Sequence, residues 1–212
     1  MEFQNEIGII QRKMAASVAG SSRRLEILHV LDIKAGQQVL DIGCGGGHLL
    51  EELAKAVGPN GKAIGLDTSQ DQLKQANEKC ALYDNASTLL GFANKINLEK
   101  NSCDAVASAQ TFEYIEDVDE SIEEVARILK PSSIFANISI LWDYYKFYGA
   151  EDNLNNLIQD TFKAHCFHQM LPTTLSGRLE KFGFKHIKHK PLPMFITTTD
   201  DNSPAKYAAE VM

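Results

Sequence analysis

The stretch Val39-Leu40-Asp41-Ile42-Gly43-Cys44-Gly45-Gly46-Gly47 decides the fold. A short apolar run carrying one acid passes straight into glycines, and a helix-like segment over residues 48–57 follows. That order predicts a strand, a tight turn and a helix start. Glycine lets the backbone turn sharply and approach a ligand without a Cβ in the way. The first turn of the helix then presents unpaired N–H groups to an anion. The stretch predicts a small anionic or nucleotide-like ligand at the end of the first strand.

Spacing narrows the ligand. A dinucleotide-binding turn needs G-x-G-x-x-G; Gly43 and Gly45 fit, but the third position is His48. A P-loop needs Gly-Lys-Ser/Thr, which does not follow. The segment resembles, nearly residue for residue, motif I of the class I S-adenosylmethionine-dependent methyltransferases, (V/L)LD(I/V)GCGxG. The bland alternative, a glycine-rich turn with no ligand, is weakened by a second feature. Lys62-Ala63-Ile64-Gly65-Leu66-Asp67-Thr68-Ser69 reads as the next strand, ending in an acid. Asp67 lies about twenty residues past the glycines, where a doubly wound fold places a carboxylate that accepts hydrogen bonds from ribose hydroxyls. Asp67 as a helix N-cap is the competing role, and Thr68 or Ser69 suits that better.

The chain has 212 residues, 44% hydrophobic and 23% charged, enough for one domain with a full core. A net charge of -7 and a pI near 5.4 make nucleic acid an improbable partner, since phosphate contacts dominate that affinity. A late basic cluster, Lys181, Lys185, His186, Lys188, His189 and Lys190, reads as a solvated strand edge. Cys44, Cys80, Cys103 and Cys166 are scattered, which speaks against a disulfide framework. His165-Cys166-Phe167-His168 lacks partners at zinc spacing, so no metal is expected. No signal sequence or membrane-length apolar run is visible, and a cytoplasmic location is expected.

Strands alternating with helices predict an α/β, Rossmann-like, doubly wound and mainly parallel sheet with helices on both faces. Helix is expected over residues 11–31, broken near 19–22 with Ser21 or Ser22 as a cap, then over 48–57, 70–83, 118–129, 152–164 and 172–182. Strands are expected over residues 38–42, 63–66, 88–92, 105–109, 134–140 and 186–190, with a stop and turn at residues 130–133. One domain is expected over residues 1–212: a helical lid or cap over 1–35, a cofactor-binding core over 36–140, and a substrate-side part over 141–212.

The family resemblance runs over residues 38–140. Asn101-Ser102-Cys103-Asp104-Ala105-Val106-Ala107-Ser108 looks like the family's (N/S)(S/T)FDxV(V/L)S, and Val125-Ala126-Arg127-Ile128-Leu129-Lys130-Pro131 is similar to its xxRVLKPGG turn. The subgroup resembled is the type 11, ubiquinone-biosynthesis-like small-molecule methyltransferases. The resemblance implies S-adenosyl-L-methionine as cofactor. It puts Asp41, Gly43, Cys44 and Gly45 at the methionyl part and Asp67 at the ribose. Thr68, Gln72, Phe92, Ala93 and Asn94 fall toward the adenosyl end, and Gln110 near the transferred methyl. Three departures stand out. Phe92 replaces the acid that receives the adenine amino group, leaving Asn94 as an acceptor or Phe92 as a packing surface. Ser132-Ser133 replaces Gly-Gly. The final antiparallel strand is either short, near residues 194–199 ahead of a helix-like tail over 203–212, or missing.

Methyl transfer is an in-line substitution, so the protein mainly aligns donor and acceptor and keeps them dry. A general base is needed only for an acceptor protonated at neutral pH. Gln110, Glu113, His165 and His168 are the candidates near the reacting atoms, with no catalytic residue assigned. Ser108-Ala109-Gln110-Thr111-Phe112 lacks the Pro-Pro of adenine-N6 enzymes, and no Pro-Cys nucleophile exists. Tyr114, Trp142, Tyr144 and Tyr145 follow strands four and five, where an aromatic wall suits a small flat or apolar methyl acceptor. Core packing of these rings is the competing reading. The function expected is methyl transfer to such a molecule. The alternatives are a non-catalytic cofactor-binding partner or regulatory subunit and, behind it, an RNA or protein methyltransferase.

Overall fold

The structure is a computed structural model, and it describes residues 5–144, 146–147, 151–163 and 166–192. Two helices lead in, α1 (Asn5–Ala16) and α2 (Val18–Leu31). Then β1 (Gln38–Ile42), α3 (His48–Val57), β2 (Lys62–Asp67), α4 (Gln70–Lys79) and β3 (Ala86–Leu90) alternate. The second half runs β4 (Cys103–Ala109), α5 (Val118–Ile128), β5 (Leu129–Ile138), α6 (Asp152–Phe162) and α7 (Leu171–Lys181). All strand pairs are parallel, in the order β3-β2-β1-β4-β5. The expected doubly wound α/β fold is therefore present.

Period-two alternation sorts the strand residues between two layers. Leu40, Ile42, Ile64, Leu66 and Val106 face α5 and α7, meeting Ile122, Val125, Leu171 and Leu175. Val39, Ala63, Ala105 and Ala107 face the other way, toward Ile27, Leu50, Leu53 and Leu73. Small residues on that second face let the helices come close. At Gly65 even a methyl is too much, because a Cβ would lie 2.7 Å from Cys44 Sγ and 2.9 Å from Leu50 Cδ2. Phe112 is wholly buried beneath β5, its ring centroid 5.3 Å from that of Phe135.

Several boundaries depart from expectation. The helical break falls at Ser17, whose Oγ accepts from Gly20 N–H at 3.2 Å. Gly20 continues α2: a Cβ there would lie 2.2 Å from the Ala15 carbonyl oxygen, so glycine permits the crossing of α1 over α2. Helix α4 ends at Lys79, and Tyr83 forms a turn that packs against the α3 layer. Residues 130–133 make no terminating turn. β5 runs through them with a register shift opposite Cys103–Ala105, and Pro131 is tolerated because β5 is an edge strand of the described sheet. The predicted strand over residues 186–190 is absent. His186 adopts a left-handed conformation (φ 56°), and Phe184 and Ile187 pack against the α5–α7 layer instead. The calls on Tyr145, His165, residues 194–199 and residues 203–212 lie outside the described residues.

Candidate active site

The chain runs outward from β1 through β2 to β3, then returns to β4 on the other side of β1. A parallel sheet opens a crevice at such a reversal, beyond the C-terminal strand ends. A cavity of about 440 Å³ lies there. Asp41, Gly43, Cys44, Gly45, Asp67, Thr68, Gln72, Phe92, Ala93, Asn94 and Gln110 all line it.

The glycine turn forms one wall. Gly43 and Cys44 N–H both donate to the Leu66 carbonyl, at 2.7 and 3.0 Å. Gly45 N–H donates to Asp67 Oδ2 at 2.9 Å, and Asp67 Oδ1 accepts from Ser69 N–H at 2.9 Å. One carboxylate thus joins the turn to the start of α4, with lone pairs left for a ligand. Ser69 is the helix cap, as its Oγ accepts from Gln72 N–H, and this frees Asp67 from that duty. Gly43 is left-handed (φ 73°), and a Cβ on it would lie 2.1 Å from Thr111 Oγ1. Gly47 caps α3 without a side-chain hydrogen bond, so the first turn keeps its donors.

Charge around the turn is unbalanced. Asp41 is almost wholly buried and its Oδ2 has no hydrogen-bond partner. Burial, with Asp67 and Glu52 nearby, pushes its carboxyl up to about 8, against a smaller opposing pull from Arg24. Burial also raises Asp67, offset by the N–H groups of Ser69, Gly45 and Thr68. His48 is pushed down to about 4 by burial and by Lys79 and Arg24, so it faces the cavity as a neutral ring at pH 7. Asn94 gives its Nδ2 to Glu120 Oε2 at 3.0 Å, which leaves its Oδ1 as an acceptor. Phe92 is 65% exposed beside it, an apolar face on the cavity rim. A buried carboxyl with an unpartnered oxygen, which a neighbouring cation would ionise, an open helix start and glycines that leave no room for a Cβ all fit a ligand bearing a cationic group and a sugar.

The opposite wall follows β4. Gln110 is left-handed (φ 54°), a strain of order 1 kcal/mol for a residue with a Cβ. Its N–H is held by the Ile138 carbonyl at 2.7 Å, and its Oε1 accepts from the buried guanidinium of Arg23. Tyr114 lines the cavity as well. Glu113 does not; it lies wholly buried behind the wall. Its Oε1 accepts from Ile140 N–H at 3.3 Å, its carbonyl accepts from His168 N–H at 3.0 Å, and its Oε2 has no partner. Burial pushes its carboxyl up to about 7, tempered by Ser139, Ile140 and Arg23. His168 does not line the cavity; it sits behind the wall, its Nε2 3.0 Å from the carbonyl of the lining residue Glu116. Trp142 is buried with Met14 and Cys166, its backbone N–H held by the Gln169 carbonyl at 3.0 Å. Tyr144 is 73% exposed. Neither ring lines the cavity: Trp142 went to packing, and Tyr144 to solvent.

Sequence reasoning did not single out Gln11, Met14, Ala15, Arg23 and Arg24, which also line the cavity. Both side chains of the Arg23-Arg24 doublet are buried, a placement that the adjacent pair of cations does not signal in the sequence. Arg24 braces the helices: it reaches Glu52 Oε1 at 2.9 Å, Ser21 Oγ at 3.1 Å and the Ala15 carbonyl.

A reversed parallel sheet, a glycine turn and a carboxylate closing the second strand define a Rossmann-like ligand-binding domain of the methyltransferase type. A methyltransferase domain family model matches residues 33–197, and the chain belongs to that family. A demethylmenaquinone methyltransferase of Staphylococcus aureus is 32% identical over 111 residues, 52% of this chain and 46% of the relative. The chain thus spans less than half the length of the curated relatives it matches. A SAM-dependent methyltransferase structure from Aquifex aeolicus aligns with a TM-score of 0.67 at 24% identity, covering 86% of this chain and 90% of the other. Haemonchus contortus phosphoethanolamine N-methyltransferase 2, solved with S-adenosyl-L-methionine, aligns at 0.69 and 20% identity, covering 88% and 43%. The expected class I methyltransferase fold is borne out.

Proposed function

We propose that this chain transfers a methyl group from S-adenosyl-L-methionine to a small, flat and largely apolar molecule. The observation that carries the reading is the cavity at the strand-order reversal, lined at once by the glycine turn, by both strand-end acids and by Gln110. Bound there, the cofactor supplies an electrophilic methyl on a sulfonium. Asp67 holds the ribose hydroxyls, and Asp41 offers its unpartnered oxygen to the methionyl end. Thr68, Phe92, Ala93 and Asn94 surround the adenine, with the Asn94 oxygen receiving its amino group. Gln110, fixed by Arg23, orients the acceptor near the methyl, and Tyr114 supplies an aromatic face. The demethylmenaquinone methyltransferase relative supports an aromatic acceptor. A cytoplasmic enzyme agrees with the described residues, where no helix is long and apolar enough to cross a membrane.

The test is calorimetric titration with S-adenosylmethionine and S-adenosylhomocysteine, followed by an acceptor panel that includes quinols and phenols. Low-micromolar binding and turnover on an aromatic acceptor is the expected result. Binding with no turnover on any acceptor would favour the second reading, a cofactor-binding regulatory subunit. The observation on its side is Phe92, an exposed ring where the family carries an acid. An RNA acceptor is disfavoured because the late basic residues are partly engaged at home: Lys181 with Asp119 and Lys190 with Glu26.

A further inference from the structure

Helix α1 crosses over the glycine turn at close range. A Cβ on Gly46 would lie 2.8 Å from Arg12 Cδ, and Arg12 continues to Asp71 Oδ2 and Gln72 Oε1 on α4, both at 3.1 Å. One residue earlier, Gln11 turns its amide toward the cavity. Its Nε2 and Oε1 lie 3.2 and 3.4 Å from the position a Cβ on Gly45 would take. Gln11 Oε1 is shielded from solvent and has no hydrogen-bond partner. Asp41 Oδ2, on the same cavity wall, is in the same condition. An oxygen left buried without a donor costs about 1–3 kcal/mol. Both residues line one cavity beside the glycine turn, and together they make a corner with two unfilled acceptor oxygens. The group that satisfies such a corner is a compact cation with several N–H donors, and a primary ammonium carries three.

We infer that Gln11 and Asp41 together bind the α-ammonium of the methionyl part of the cofactor, so that α1 contributes a ligand to the site rather than only covering it. The inference rests on the cofactor reading proposed above and deepens it. A side-chain carbonyl and a carboxylate would hold one ammonium from two directions. Asp41, raised to about 8 by burial, gives up its proton as the cation arrives, whereas the amide of Gln11 needs no change of protonation. Arg12 fixes the register of α1 on α4 and thereby sets where the Gln11 carbonyl lies.

The test compares two ligands that differ by the amino-acid chain. S-adenosylhomocysteine carries the ammonium; 5′-methylthioadenosine keeps the adenosyl part and lacks it. Both are titrated calorimetrically into the full chain, as wild type, Gln11→Leu and Gln11→Glu. Gln11→Leu is expected to weaken S-adenosylhomocysteine at least tenfold while 5′-methylthioadenosine stays within twofold, which also reports an intact adenosyl site. Gln11→Glu keeps an acceptor oxygen and is expected to retain or tighten S-adenosylhomocysteine. Equal loss of both ligands in Gln11→Leu, or no loss of either, overturns the inference and leaves the cofactor reading standing. Failure of the wild type to bind either ligand overturns the cofactor reading itself.

Discussion

The two walls of the cavity are built in opposite ways. On the β1–β2 side, backbone does the work: Gly43, Cys44 and Gly45 hang from the Leu66 carbonyl and the Asp67 carboxylate, all within about one strand-helix-strand unit. On the β4–β5 side, side chains from distant segments converge. Gln110 leans on Arg23, while Glu113 ties Ile140 and His168 together. The first wall is a turn that nearly any sequence with these glycines would reproduce. The second exists only once the whole fold has closed. A cofactor shared across a family belongs on the first kind of wall, and an acceptor that differs from protein to protein belongs on the second.

The contrast can be broken from either side, starting with the strongest effect expected. Asp67→Ala removes the acceptor for Gly45 and Ser69 N–H along with the proposed ribose contact, and charge-assisted bonds of this kind are the strong ones. S-adenosylhomocysteine affinity should fall about a hundredfold, near 2.8 kcal/mol by calorimetry; unchanged affinity would sink the ribose assignment. Gly47→Ala attacks the same wall through the fold. Its φ is 81° and a Cβ would lie 2.8 Å from Ala76 Cα, a backbone neighbour that has no room to yield. A loss of about 2 kcal/mol is expected, a drop in Tm of roughly 4–8 °C by calorimetric scanning.

Glu113→Gln probes the other wall. In the folded chain the carboxyl is raised to about 7 from its ordinary 4.5, so the unfolded chain releases its proton first. Stability is therefore drained as pH rises between those two values and is level above them. The glutamine variant loses that slope, and near pH 8 it should be the more stable protein by about 1–2 kcal/mol in urea titrations. A slope identical to wild type would mean that Glu113 is already ionised without cost. The smallest effect is expected at Phe92→Ala, where loss of one exposed apolar face should weaken adenosyl ligands about threefold, roughly 0.7 kcal/mol. No change there would remove Phe92 from the adenine site.

Legibility in the sequence follows the same division. The expected bounds of β1 and α3 coincide with the observed ones, because glycine runs and apolar strands are signalled within a few residues. The eleven residues expected at the cofactor share one cavity for the same reason. Expectation failed where a residue's environment comes from far along the chain. Gly20 looks like a helix breaker, yet it sits inside α2 because α1 passes 2.2 Å from where its Cβ would be. Trp142 looks like a substrate-facing aromatic, but Met14, more than a hundred residues earlier, helps bury it. His186 interrupts what reads as a strand with a left-handed backbone, which histidine adopts more readily than most side chains but which the alternating pattern masks. Arg23 was passed over because a cation on a leading helix is ordinarily solvated, and only the closed fold places it against Gln110.

The clasp between Arg12 and Asp71 has a consequence in time rather than in affinity. The two side chains keep 20% and 44% of their surface in water, and ion pairs that exposed contribute about 0–1 kcal/mol. The link from α1 to α4 is therefore one that thermal motion undoes readily and salt loosens further, while the far end of α1 stays packed through Met14 and Ala15. Spent cofactor must leave between one turnover and the next. If α1 is the door, stopped-flow release of S-adenosylhomocysteine should quicken with ionic strength in the wild type and lose that dependence in Asp71→Asn, so that the pace of the cycle is set at a surface latch.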